Sequence, residues 1–285
     1  MPNWKSAQRA GVITVRIDDM KAGDDVWVLL RSDAHHDSPY CDRKLEKYHL
    51  EIAKERNALI LDNGDTFDAM QGKFDPRRSY GDIRPEDKVE TYYNSIVDHA
   101  AEDYAPYADN WIMFGKGNHE TAVANKANLC LLSMLTKELN QQDGANVHVG
   151  GYTGYVRFMF QYNKTKRKTF NLKYHHGSGG SAPVTRGVIQ TNRQSVFLPD
   201  ADIVWNGHNH QAYTLPIPRE RLSRSGKISQ DNLWHIRTPG YKNDWLRGEG
   251  WAVERNSGPT PMGAVWLKFF IRNDKIKMQV IPEIE

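Results

Sequence analysis

The sequence is poor in cysteine, and this scarcity excludes two kinds of structure. Only Cys41 and Cys130 occur among its 285 residues, and no CxxC pair is present. A disulfide framework and a thiolate-bound zinc site both need several cysteines at defined spacings, so neither is expected. We interpret both thiols as ordinary structural residues.

Long apolar runs are also missing. No stretch approaches the roughly 18 uncharged apolar residues that a membrane helix needs. Residues 1–11, MPNWKSAQRAG, lack the apolar centre of a secretory signal. We therefore expect a soluble cytoplasmic protein with no membrane partner, and the sequence indicates no obligate protein partner.

Acidic residues are absent from one long segment. None occurs between Asp143 and Asp200, while the whole chain has a net charge of only +3. The same segment contains eight basic residues, which are Arg157, Lys164, Lys166, Arg167, Lys168, Lys173, Arg186 and Arg193. This segment should attract anions. Part of it has a simpler explanation, because residues 163–169 have the composition of a solvated hairpin turn.

The composition that is present favours a folded α/β protein. With 39% hydrophobic and 11% aromatic residues, the chain can bury a substantial core, most simply as one domain over residues 1–285, although two domains are also possible. The first half alternates strand and helix patterns, for example a strand at 25–33, a helix at 41–57 and a strand at 58–65. The second half reads mainly as strands. Three long loops are predicted to form walls of a cleft, at residues 66–87, 177–200 and 239–262.

Five clusters of metal-binding side chains follow predicted strands. They are Asp33 and His35, Asp65, Asn118 and His119, His176, and His208 with His210. A lone histidine at a strand end has many uses, but five such clusters together indicate a metal site. Carboxylate, imidazole and amide ligands without cysteine suit borderline or hard divalent ions.

The spacing within two clusters predicts how the ligands meet. Asp33 and His35 are two residues apart, as are His208 and His210, so an extended chain would direct each pair to one side. Glycines precede Asp65, Asn118 and His208, and they permit tight turns. The five clusters supply more candidate ligands than one ion needs, which favours two ions about 3.5 to 4 Å apart that share a carboxylate.

The order of the motifs, D-x-H, G-D-x-x-D, G-N-H-E, H-G and G-H-x-H, resembles the calcineurin-like metallophosphoesterase superfamily. The motifs extend from residue 33 to residue 210. Residues 174–187, YHHGSGGSAPVTRG, are also similar to a bacteriophage-encoded branch. The resemblance implies a four-layer α-β-β-α sandwich with mixed sheets and an active site in loops at strand ends.

The resemblance also implies a role for each ligand. Asp33, His35 and His210 would hold the first metal, Asn118, His176 and His208 the second, and Asp65 would bridge the two. Mn²⁺ is the favoured ion, and Fe, Zn²⁺ and Mg²⁺ are compatible with the same ligands.

In this scheme a metal-bridging hydroxide attacks phosphorus, and His119 assists the leaving group. Asp68 would orient His119, and Asn118 would also lie against the substrate. Related phosphatases have a phosphate-clamping arginine after the second motif, where this sequence has Ala69. Arg186, Arg193 and Arg77 are therefore alternative candidates for binding the substrate phosphate.

The sequence leaves several functions open. A phosphodiesterase or nuclease is slightly favoured because the basic segment and long loops could guide a nucleotide or nucleic acid. A phosphomonoesterase acting on nucleotides or proteins is the main alternative, and a non-catalytic metal-binding scaffold is a weaker one. A single-zinc peptidase would need an H-E-x-x-H motif, which does not occur.

Overall fold

The structure is a computed structural model with two β-sheets at its centre. It describes residues 3–70, 80–180, 184–243, 245, 253, 256 and 258–285. The strands are β1 Trp4–Arg9, β2 Val12–Met20, β3 Asp25–Arg31, β4 Leu59–Asp62, β5 Trp111–Phe114, β6 His148–Val149, β7 Thr153–Tyr162, β8 Lys166–His175, β9 Ile203–Asn206, β10 Tyr213–Leu222, β11 Ile228–Arg237, β12 Gly263–Arg272 and β13 Lys275–Ile284. The helices are α1 Arg43–Glu55, α2 Tyr92–Tyr104, α3 Asn118–Ala127, α4 Leu131–Leu139 and α5 Val188–Phe197.

One sheet has six strands in the order β13-β12-β3-β4-β5-β6. The strands from β3 to β6 run parallel, so the ends of β3, β4 and β5 lie at one edge. Every residue of β4 and β5 is buried. Strands in which every residue is buried are typical of a parallel sheet that is covered on both faces.

Helices cover one face of this sheet, and the second sheet covers the other. Ile60 and Trp111 pack with Leu50 of α1 and Leu135 of α4 in the helix-side core. The opposite side chains pack against the inner face of the second sheet. Adjacent residues of one strand thus belong to two separate cores, as the period of a strand requires.

The second sheet has seven strands in the order β1-β2-β7-β8-β9-β11-β10. Its outer face is in contact with α5, beside a small apolar cluster that contains Leu198 and Leu233. The predicted α/β class with two packed mixed sheets and flanking helices is confirmed. In the described part of the chain, no helix of the molecule is long and apolar enough to span a membrane.

Three strands are not predicted by the sequence pattern: β1, β2 and β10. β10 contains Pro216 and Pro218, which cannot donate to a ladder and which argue against a central strand. The structure accommodates them because β10 is an edge strand that pairs with β11 on one side only. A second difference lies at residue 118, where the expected extended chain gives way to helix α3.

Candidate metal centre

Loops from both sheets meet at the candidate site. The loops after β3 and β4 are joined by Asp33 N donating to Gly64 O at 2.9 Å and His35 N donating to Asp65 O at 3.0 Å. The loops after β8 and β9 are joined by Gly207 N donating to His176 O at 2.8 Å. Because these strands are parallel to their neighbours, their ends deliver the loops to the same place.

The backbone at the ligands differs from the expectation. Asp33 (φ 54°), His35 (φ 47°), Asp65 (φ 54°), His208 (φ 76°) and His210 (φ 52°) all have left-handed conformations. The prediction that an extended chain aligns each ligand pair was therefore wrong. Tight left-handed loops bring these side chains together, and such conformations cost of order 1 to 3 kcal/mol per residue and persist only where the surrounding structure imposes them.

Two glycines allow the loops after β4 and β5 to touch. A Cβ on Gly64, which has a φ of +95°, would lie 2.5 Å from the backbone nitrogen of Gly117. A Cβ on Gly117 would overlap the carboxylate of Asp65. Only residues without side chains permit this close approach, so these glycines set the position of Asp65.

The first group of predicted ligands converges. The ring nitrogens His35 Nε2 and His210 Nε2 are 3.3 Å apart, and His210 Nε2 lies 3.6 Å from Asp33 Oδ1. Asp33 is completely buried, and His208 N donates to its Oδ2 at 2.9 Å. These contacts hold the Asp33 carboxylate next to His208 and His210 of the last motif.

The second group surrounds Asp65. His176 Nε2 is 3.1 Å from Asp65 Oδ2 and 3.2 Å from Asn118 Oδ1. His176 Nδ1 donates to Asn63 O at 2.7 Å, which leaves Nε2 directed at the site. The atoms of Asp65, His176 and His208 that could bind a metal also lie within 4.8 Å of one another.

These side chains fit divalent metal ions. The ring nitrogens His35 Nε2 and His210 Nε2 face each other, and one proton or one shared cation can lie between them. Burial alone would lower the pKa of His176, but Asp65 and Asp33 raise it to about 10. The carboxylates of Asp65 and Asp33 therefore favour a positive charge beside His176. His208 Nδ1 is buried and has no hydrogen-bond partner among the described residues, and nitrogen and oxygen ligands suit Mn²⁺, Fe and Zn²⁺.

His119 lies beside these groups and is nearly buried. Its Nδ1 is 2.5 Å from the backbone carbonyl of Asp68, to which it donates, and its backbone N donates to Asp65 Oδ1 at 3.0 Å. The other ring nitrogen, Nε2, is 3.7 Å from Asp65 Oδ2. One hydrogen bond thus fixes the ring and the other fixes the backbone of His119, and Nε2 is directed toward the ligand cluster.

The structure changes the expected role of Asp68. Its Oδ1 lies 2.9 Å from His35 Nδ1 and 2.9 Å from Lys242 Nζ, but 3.9 Å from His119 Nδ1. Its backbone carbonyl, and not its carboxylate, hydrogen bonds with His119. Burial would raise the pKa of Asp68, yet Lys242 and His35 hold it well below its usual range. The carboxylate therefore orients a predicted metal ligand, as carboxylates behind histidine ligands commonly do.

A buried ionic network supports the loop that carries Asp65. Arg31 donates to Asp62 Oδ2 at 2.9 Å and to Glu46 Oε1 at 2.6 Å. Asp62 Oδ1 accepts from Gly64 N at 2.9 Å and from Thr66 Oγ1 at 3.1 Å. The buried charges of Arg31 and Asp62 therefore fix the conformation of the loop next to the site.

Glu120 joins the second and third motifs. It is buried, and its carboxylate accepts from Asp65 N at 3.1 Å, Phe67 N at 3.0 Å and Gly117 N at 2.9 Å. Burial and the neighbouring Asp65 raise the pKa of Glu120 to about 7. Through these contacts Glu120 stabilises the turn and the start of α3.

The predicted phosphate-binding arginines do not join the cluster. Arg186 lies in the turn before α5 and Arg193 on α5, and both are exposed. Neither forms a hydrogen bond or an ion pair with any described residue of the site. Arg77 lies outside the described residues.

Three residues at the site were missed by sequence reasoning. Lys242 binds Asp68, Asn63 holds His176 through its carbonyl, and Asp37 accepts from Asp68 N at 2.6 Å. Asp37 could have been suspected because it belongs to the run SDAHHD. Lys242 has no local signal, since its partner lies 174 positions away.

Comparison with known proteins places the chain in a family. The sequence model described as calcineurin-like phosphoesterase matches residues 26–280. The chain belongs to the calcineurin-like phosphoesterase family. No curated protein matches it.

Three similar solved structures come from Cryptosporidium parvum, Plasmodium and Streptococcus pneumoniae. Vacuolar Protein Sorting 29 from Cryptosporidium parvum is 14% identical, with a TM-score of 0.38, and the match covers 92% of this chain and 99% of that one. GAP50 of Plasmodium is 12% identical, with a TM-score of 0.47 and coverage of 90% and 84%. A predicted phosphoesterase from Streptococcus pneumoniae TIGR4 is 10% identical, with a TM-score of 0.32 and coverage of 91% and 90%.

Proposed function

We propose that this protein is a phosphoester hydrolase that uses two divalent metal ions. The observation that carries the proposal is the convergence of the predicted site residues in three overlapping groups: Asp33, His35 and His210; His35, Asp65 and His119; and Asp65, His176 and His208. Asp65 belongs to the second and third groups and His35 links the first group to the second, so the three groups form one continuous cluster around Asp65. Mn²⁺ remains the predicted metal.

The chain itself would hold the ions and position a proton donor. Asp33, His35 and His210 would hold one ion, Asn118, His176 and His208 the other, and Asp65 would contact both. When bound, two such ions lower the pKa of a water molecule and neutralise charge on phosphoryl oxygens. Glu120 and Asp62 keep the loop of Asp65 in place through their backbone contacts.

His119 is the proposed proton donor to the leaving oxygen. Its Nδ1 proton is committed to the carbonyl of Asp68, so the proton that it can transfer is carried on Nε2 in the imidazolium form. Asp65 Oδ2, at 3.7 Å, would stabilise that charge. A fixed donor of this kind contributes about 10² to 10⁴ in rate.

The substrate class is the finer part of the proposal. A phosphodiester, including a nucleotide or nucleic acid, is favoured over a phosphomonoester because of the acid-free basic segment between Asp143 and Asp200. We also propose a single domain over residues 1–285 and a cytoplasmic location. Membership of a bacteriophage branch stays a prediction.

Hydrolysis of bis(p-nitrophenyl) phosphate tests the reaction, with p-nitrophenyl phosphate as the monoester comparison and Mn²⁺, Zn²⁺, Mg²⁺ or Fe²⁺ added in turn. We expect metal-stimulated hydrolysis, with the diester preferred. Asp65→Asn should abolish it, and His119→Gln should lower the rate for a substrate with a poor leaving group more than the rate for p-nitrophenyl esters. His148→Gln, on β6, is the matched control.

A scaffold without catalytic activity would give a different result. It would bind metal, as measured by calorimetry, and would hydrolyse neither ester with any of the four ions. A purified protein that binds no divalent ion at all would refute the proposed metal centre.

A further inference from the structure

In the described part of the chain, no helix covers the outer face of the seven-stranded sheet along β1, β2, β7 and β8. In these strands every second side chain belongs to the core between the sheets, as Val15, Phe158 and Leu172 do. The residues between them point to the opposite side. Within the described residues, α5 is the helix that packs on this sheet, and it contacts β9 and β11.

Six basic side chains occupy this open surface, which we call the basic face. They are Lys5 and Arg9 of β1, Arg16 of β2, Arg157 of β7, and Arg167 and Lys173 of β8. The strand register places them as neighbours, with Lys5 directly opposite Arg16. Arg157 lies opposite Thr14 on one side and Asn171 on the other.

Among the described residues, the carboxylates near the basic face lie beside it and not within it. No outward position of β1, β7 or β8, or of β2 as far as Arg16, is acidic. Asp18 follows where the register of β2 shifts, and Asp200 and Asp202, which precede β9, line a cavity together with Arg157 and Tyr155. The charge of the basic face is therefore of one sign across four adjacent strands.

These charges are not neutralised within the described protein. None of the six side chains forms an ion pair with a described residue, whereas Lys166 at the start of β8 is paired with Asp274. Like charges directly opposite each other on a sheet are destabilising. Lys5 and Arg16 therefore carry a repulsion that an anion lying across both strands would relieve.

The shape of the basic face fits a polymer better than a small ligand. Strands lie about 4.8 Å apart and alternate residues about 6.8 Å apart, so four strands give an area of roughly 15 by 20 Å. Nucleic acid presents one phosphate per roughly 3.4 Å of axis on each strand, at a similar scale. Tyr155 is the aromatic residue of the basic face, and Lys173 Nζ lies 4.7 Å over its ring. A single covered ring is no stacking platform, so contacts would go to the backbone of a duplex.

The basic face also leads to the candidate metal centre. β8 carries Arg167 and Lys173 and ends at His175, the residue before His176. A polymer bound along β8 would reach the loop that holds a predicted metal ligand. We propose that the basic face binds the phosphate backbone of double-stranded nucleic acid and supplies this polymer to the metal centre. The second half of the proposal rests on the proposed function.

Binding is tested with a fluorescein-labelled 20-base-pair duplex of mixed sequence and fluorescence anisotropy. EDTA is present to prevent cleavage, and NaCl is varied from 50 to 200 mM. With up to six phosphate contacts, log K should fall with log[salt] with a slope of up to about −5. The double variant Arg16→Gln/Arg157→Gln should make this slope less steep by about 2 and weaken binding.

The control removes the same net charge elsewhere. Lys47→Gln/Lys137→Gln changes exposed side chains on α1 and α4, on the opposite side of the molecule. This control should bind the duplex as the unmodified protein does. Equal binding by both double variants would overturn the proposal. So would absence of duplex binding at 50 mM NaCl, including a result in which anionic phospholipid vesicles bind instead.

A second readout separates this proposal from the proposed function. Hydrolysis of bis(p-nitrophenyl) phosphate should be the same in all three proteins, while cleavage of dilute duplex should fall at least tenfold in Arg16→Gln/Arg157→Gln alone. If the unmodified protein hydrolyses neither substrate, the proposed function fails, and the anisotropy result still decides whether the basic face binds nucleic acid. Equal duplex cleavage by all three proteins would refute delivery to the metal centre.

Discussion

Replacing Arg31 by methionine should destabilise the fold by breaking the buried ionic network behind the site. Arg31 is completely buried, with rings of Trp111 and Tyr241 each 5.2 Å from its guanidinium carbon. Methionine fills much of the same volume but leaves the carboxylates of Asp62 and Glu46 without their cation. Removing one partner from such a network costs about 3 to 5 kcal/mol.

The loss of Arg31 should affect the carboxylates of Glu46 and Asp62 differently. Glu46 keeps His36 Nδ1 at 2.8 Å and the hydroxyl of Tyr104 at 2.5 Å. Asp62 Oδ2 loses its arginine partner. Burial already raises the pKa of Asp62 to about 6 beside Arg31, so without Arg31 this group should take up a proton at neutral pH. Protonation limits the loss, and we expect a value near the lower end of the range.

Urea unfolding at pH 7.5, followed by tryptophan fluorescence in metal-free buffer, measures the change. Asp62→Asn in the Arg31→Met background should cost less than it does alone, with a coupling energy of about 1 to 3 kcal/mol. Lys47→Met, an exposed change on α1, should stay within about 0.5 kcal/mol of the unmodified protein. A loss below 1 kcal/mol for Arg31→Met, or additive effects in the cycle, would refute this account of the network.

Three further predictions concern the glycine contact, pH and metal. Gly117→Ala should displace Asp65, because the new methyl group overlaps its carboxylate; calorimetry should find metal affinity lowered at least tenfold, and unchanged affinity would contradict the contact. Burial lowers the pKa of His235 to about 4, so between that value and 6.5 the unfolded chain binds a proton that the folded one does not. This difference should lower the free energy of unfolding by about 2 kcal/mol between pH 7 and pH 5. In urea unfolding, His235→Leu should lack this part of the pH dependence, and an equal pH dependence in the two proteins would contradict the prediction. Free metal at a hundred times its Kd should stabilise the fold by about 2.7 kcal/mol; a melting temperature that EDTA leaves unchanged in the unmodified protein, or lowers equally in Asp65→Asn, would contradict metal binding at Asp65.

Residue type and order along the chain were sufficient to predict the candidate ligands. Asp33, Asp65 and His176 could each be recognised because strand and turn signals are local, and because parallel strands deliver their following loops to one edge. The same local signals predicted β3, α1 and β4. They could not predict β10, where two prolines are tolerated only because the strand lies at an edge.

The sequence by itself determined which chemical groups this protein can bring to a metal centre and roughly where its strands and helices lie, because residue type and period are properties of short segments. Tertiary structure decided how those groups are held. The left-handed backbone at His35 and His210, the pairing of Asp68 with Lys242 and the open basic face all depend on segments that are far apart in the chain. Such features follow from which distant surfaces pack together, and no window of the sequence contains both partners.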